Sequence, residues 1–181
     1  MKINIHALPN NFTIHPDKAK EIFEYISNDM QEDPYSDEAT YYFLLNFYVK
    51  ELLVEKTEFD FVLDICNLGT TSYKYIFDQF LNIFPEVLTS LNTGADFTLD
   101  LIEQGWDNYY HFTVKDYLYS IKAVSIFGSD VGEIEFVKVD EVKRIFNTIK
   151  NTFLNVMKYH FNDDFYHIYE KYLDVNSYDI D

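Results

Sequence analysis

Three stretches of this chain interleave carboxylates with apolar side chains, and period-two spacing sends residues of one phase to one side of a strand. Glu58, Asp60 and Asp64 alternate with Phe59, Phe61, Leu63 and Ile65. Asp96 and Asp100 alternate with Phe97, Leu99 and Leu101, and Glu133 and Glu135 fall in a segment that ends at Val139. On these phases all seven carboxylates point away from the core and form one acidic sheet face. Like charges on adjacent strands repel, and a basic partner relieves that repulsion. The plainer reading is a solvated face that resists edge-to-edge aggregation.

A second candidate is Trp106-Asp107-Asn108-Tyr109-Tyr110-His111. Trp106 and Tyr109 in and beside a turn suit the anchor of a binding surface. A tryptophan that folds back to plug the core end is the favoured reading of the two. His111 is a possible general base, but no nucleophile is paired with it in the sequence.

Weaker candidates follow. Gly69-Thr70-Thr71-Ser72 and then Lys74 place a loop and a helix start where other folds bind anions. The segment matches neither G-x-x-x-x-G-K nor G-x-G-x-x-G, and threonine capping accounts for it. Asp163, Asp164, His160 and His167 would need a bend between helices to share a metal, and no H-E-x-x-H or Cys/His pattern supports one. Cys66 ends a strand and reads as a small buried hydrophobe. No G-x-S-x-G motif surrounds any serine. No cofactor is expected.

Charge narrows the partner class. The 181 residues carry 31 acidic and 14 basic side chains, a net charge of -17, and Arg144 is the one arginine. Phosphate recognition leans on arginine forks and clustered positive charge, so nucleic acid and anionic membrane surfaces are not expected partners. A basic protein or a cationic ligand fits the field. With 16 tyrosines, several hydroxyls must reach the surface, where tyrosine favours protein interfaces. A homo-oligomer that uses these aromatics stays open. The single cysteine cannot form an internal disulfide. Met1 to His6 carries one basic residue and no long apolar run, so the expected location is cytoplasmic. The longest uncharged apolar stretch, Ala39 to Val49, is far short of the ~20 residues of a membrane span.

The elements that must position these residues follow from periodicity. Residues 2–6 read as an edge strand. Pro16 opens a helix with Ala19, Ile22, Phe23, Ile26 and Met30 on one stripe. Ser36 is placed to cap a helix from Asp37 to about Lys56, apolar on nearly every side and so expected to be central and buried. A strand at 58–66 precedes a helix from about Tyr73 that Pro85 should kink or restart. Strands at 97–101, 109–115, 117–127 and 133–139 follow. Asp140 starts a long helix with Val142, Ile145, Phe146, Ile149, Phe153 and Val156 inward. Asn162 opens a last short one.

The expected fold is a single α+β domain over residues 1–181, with an antiparallel or mixed sheet of about four to five strands and helices mainly on one face. In size, acidity and lack of a catalytic signature the chain resembles the small inhibitor proteins that bacteria make against their own toxins. That resemblance implies a stoichiometric immunity-type protein that neutralises a basic toxin, such as a nuclease domain. The alternative is an enzyme or small-ligand binder without a recognisable motif, built around Thr70, Lys74, His111 or His167.

Overall fold

Alternating burial makes the strands, and one-sided stripes make the helices, in a computed structural model of the chain. It describes residues 1–8, 13–32, 37–56, 58–68, 71–72, 76–101 and 108–174. In chain order the elements are β1 (Lys2–Leu8), α1 (Pro16–Glu32), α2 (Glu38–Lys56), β2 (Glu58–Asp64), β3 (Thr71–Ser72), α3 (Phe77–Thr93), β4 (Phe97–Asp100), β5 (Asn108–Lys115), β6 (Leu118–Ser125), β7 (Asp130–Lys138), α4 (Val139–Val156) and α5 (Asp163–Tyr172). A π-helical turn, Met157–Phe161, joins α4 to α5. The fold is α+β.

The strands divide into two antiparallel sheets, β1-β2-β3 and β4-β5-β6-β7. The strand at 58–64 therefore does not add to the meander. It pairs antiparallel with β1, so that Ile3 faces Leu63 and Ile5 faces Phe61. In the four-stranded sheet, Asp116 and Tyr117 both have positive φ and form the two-residue turn between β5 and β6.

Helix α4 packs on both sheets, against β1 on one side and β6 and β7 on the other. Its Phe146 meets Phe97 and Phe112 edge-on at centroid distances of 5.8 and 6.2 Å. Phe153 meets Phe77 at 5.6 Å, and Phe77 packs on Phe59 and Phe61. One contiguous core thus joins both sheets and all five helices.

Local chemistry explains several element boundaries. Asp37 caps α2: its Oδ1 accepts from the Thr40 backbone N–H at 2.9 Å and from the Thr40 hydroxyl at 3.1 Å. Those two bonds hold the Asp37 carboxyl below its ordinary range. The expected cap, Ser36, lies outside the described residues, as do Tyr73 and Lys74.

Helix α3 runs unbroken through Pro85. Proline has no N–H, so the Leu81 carbonyl four residues earlier loses its helical donor. The Tyr172 hydroxyl from α5 donates to that oxygen at 3.1 Å. Tertiary contact thereby removes the reason for a break. A left-handed Gly94 (φ 71°) ends the helix.

Helix α2 differs from expectation. Two of its buried positions are polar, Asn46 and Lys50, while Phe43 and Phe47 are exposed. Asn46 Nδ2 donates to Asn82 Oδ1 at 2.7 Å, and the Tyr169 hydroxyl donates to Asn46 Oδ1 at 2.8 Å. Lys50 Nζ lies 3.7 Å from Asp78 Oδ2 and 2.8 Å from Glu51 Oε1. Burial pushes the Asp78 carboxyl up, against the opposing pull of Lys50. Because 46 pairs with 82 and 50 with 78, α2 and α3 run antiparallel through these two polar rungs.

Candidate functional site

The seven carboxylates do not form one face. Three belong to β2, three to strands of the separate four-stranded sheet, and Asp96 immediately precedes that sheet's first strand. Asp60 is exposed on the outer phase of β2. Asp64 is half-buried and stands in register with Lys2. Glu58 pairs in register with Leu8, and its side chain lies outside the described residues.

Just before β4, Asp96 turns its carboxylate to the sheet itself, where Oδ1 accepts from the Val114 N–H at 2.7 Å. Asp100 is exposed on the outer phase, opposite Tyr109. Tyr109 is half-buried and lies parallel to His111 at 6.3 Å. Trp106 lies outside the described residues.

Strand β7 corrects the expectation most sharply. Glu135 stands opposite Ile121 and Val137 opposite Tyr119, both fully buried, so Glu135 takes the inner phase. Its Oε1 accepts from the Cys66 N–H at 2.7 Å, and its Oε2 lies 2.7 Å from the α-amino group of Met1. Glu133 Oε2 accepts from Asn67 Nδ2 at 2.6 Å, and its N–H donates to the Cys66 carbonyl at 2.9 Å. These two carboxylates fasten the end of the first sheet to β7, Glu135 half-buried and Glu133 exposed.

The cause is the helix that follows. Val139 and Val142 open α4 against the core, and carrying that phase back along the strand brings Val137 and Glu135 inward. Between Ala123↔Val131 and Ile121↔Glu135 the register shifts, which leaves a bulge in β7. Gly132 sits in the bulge at φ +66°, packed directly on the Cys66 carbonyl and Leu68.

The opposite phase of β7 faces outward and carries two large apolar side chains beside the exposed Lys138. Phe136 is 69% exposed and Ile134 54% exposed. Phe136 is opposite Ser120, with Leu118 one diagonal step away, also exposed. Tyr117 at one end of the sheet and Ile126 and Phe127 at the other are exposed as well. Lys122 and Asp130 pair across the same face at 2.8 Å. Large exposed apolar side chains on the outermost strand of a sheet invite strand or face pairing.

The remaining candidates do not gather into a catalytic group. His111 Nδ1 is 2.9 Å from the Thr98 hydroxyl on the outer face of the four-stranded sheet. Cys66 is buried, and burial together with the nearby Glu135 charge pushes its thiol up, away from the reactive thiolate. His160 is buried in the π-helical turn, whereas His167 is exposed and lies 3.3 Å from Glu170. Asp163 and Asp164 are exposed at the start of α5, so burial separates His160 from the other three. No group of three or more His, Cys, Asp or Glu among the described residues is placed to hold a metal ion. Thr70 and Lys74 lie outside those residues. No described helix is long and apolar enough to cross a membrane.

No protein-family model, curated protein or solved structure matches the chain.

The apolar outer face was readable only in part. Residues 133–139 offer two phases, and acidity at Glu133 and Glu135 argues for turning those two outward. The competing signal is Val137, Val139 and Val142, whose spacing hands a strand phase over to a helix stripe.

Proposed function

We propose that the chain is a stoichiometric protein-binding module that docks a basic partner protein through the outer face of β6 and β7. The single observation that carries this reading is the exposure of Phe136 and Ile134 on the outermost strand of the four-stranded sheet. Interfaces bury aromatic and aliphatic anchors at their centre and leave charges at the rim. Leu118 is exposed beside Phe136, Tyr117 and Phe127 are exposed at the two ends of the sheet, and the Lys122–Asp130 pair lies on the same face. The net charge of -17 makes a basic partner the favoured one, because it speeds encounter and disfavours acidic competitors. A cytoplasmic inhibitor that neutralises a basic toxin, such as a nuclease domain, is the biological form we favour.

The test has two stages. The tagged chain is cross-linked in its native host at low salt, and the recovered protein is purified and titrated calorimetrically. A basic partner, a 1:1 complex and weakening with salt are expected. Ile134→Asp with Phe136→Asp should weaken binding at least about tenfold, ~1.4 kcal/mol. An acidic partner, or unchanged affinity in that double variant, contradicts the proposal. Concentration-dependent self-association lost in the same variant would assign the face to a second copy of the chain instead.

A further inference from the structure

We propose that the cavity between α2, α3 and α5 is a binding site for a small organic cation with an apolar body. The two polar rungs, Asn46–Asn82 and Lys50–Asp78, close α2 on α3 over one stretch. One and two turns further along, the helices instead border an open cavity of about 800 Å³. That size falls within the ~300–1,000 Å³ range of small-ligand sites.

Its chemistry selects the ligand class. Phe43 supplies the exposed aromatic surface, backed by the largely buried Tyr42, Pro85 and Tyr172. Tyr42 and Tyr172 stack at 3.9 Å, which fixes both rings. Glu38 enters from α2 and Glu86 from α3, both exposed, so carboxylates stand on two different walls. No lysine, arginine or histidine is among the described residues that line the cavity. Lys171 Nζ approaches Glu38 from outside at 3.9 Å, with both side chains largely exposed, a geometry that binds weakly. Carboxylates beside the exposed Phe43 ring attract a cation with an apolar body by charge and by cation–π contact.

Helix α2 supplies an independent argument. Between Tyr41 and Val49 its sequence is largely apolar, which suits broad burial. Yet Phe43, on the cavity wall, is 52% exposed. An occupant of the cavity covers it. This site is separate from the sheet face, so either proposal stands if the other fails.

The test compares three octyl compounds below their micelle concentrations: octyltrimethylammonium, octyl glucoside and octyl sulfate. Binding is followed by calorimetry and by amide chemical shifts. The cation should bind at least about tenfold tighter than the sulfate and shift signals at residues 38–43 and 85–90. Glu38→Gln with Glu86→Gln should bring the cation to the level of the glucoside and leave the glucoside unchanged. Ala39→Trp, from the exposed first turn of α2, should block the cation and the glucoside while melting normally. Equal binding of sulfate and cation, no effect of the glutamine pair, or no binding of any of the three overturns the proposal.

Discussion

Removing one hydroxyl should show why a proline sits quietly inside α3. Tyr172→Phe keeps the ring stacked on Tyr42 and deletes the donor to the Leu81 carbonyl. That oxygen then loses this donor, and Pro85 has no N–H to replace it. A buried carbonyl left unsatisfied costs about 1–3 kcal/mol. Leu81 is fully buried, so that range applies to the Tyr172→Phe variant. Pro85→Ala restores a backbone donor to Leu81. In that background Tyr172→Phe should cost about 1 kcal/mol less, a coupling of the size expected for residues that share one acceptor. Urea unfolding of the wild type, both single variants and the double variant measures it, provided the slopes agree. Equal costs of Tyr172→Phe in both backgrounds would refute the reasoning.

Other consequences follow from the same contacts. Lys50→Met leaves Asp78 as a buried carboxylate without its cation and should cost about 3 kcal/mol or more, while Lys50→Met with Asp78→Leu should recover most of that; chemical denaturation reads both. Gly132→Ala places a methyl against the Cys66 carbonyl at a positive φ and should lower stability by more than about 1 kcal/mol, with loss of amide protection in β7. Asp37 has its folded-state pKa lowered by Thr40, so its stabilisation is present above the ordinary Asp pKa and is lost as pH falls through the lowered value. Asp78 has its pKa raised by burial, so its contribution is present below the ordinary Asp pKa and is lost as pH rises through the raised value. Denaturation midpoints across the acid range should therefore flatten in opposite senses for Asp37→Asn and Asp78→Asn.

Local periodicity made the fold class and most elements legible. The stripe of Val142, Phe146, Ile149 and Phe153 in α4 and the alternation of Phe59, Phe61 and Leu63 in β2 are both buried as their spacing demands. What periodicity cannot carry is partnership between distant segments. Nothing in residues 58–64 says that their ladder runs to residues 2–8 rather than to the meander. The acidic face failed for that reason, and also because β7 takes its phase from α4. The chain through Pro85 needed a hydroxyl 87 positions away, Tyr172, which no local rule foresees. Asn46 and Lys50 sat unseen inside an apolar helix because their partners, Asn82, Tyr169 and Asp78, come from other helices.

Hydrogen exchange of the chain alone and in complex with its purified basic partner bears most directly on the docking face. Slowed exchange should be concentrated in residues 117–138, strongest around Ile134 and Phe136. Protection confined to α2 and α3, or a complex that leaves β6 and β7 exchanging as in the free chain, would contradict it.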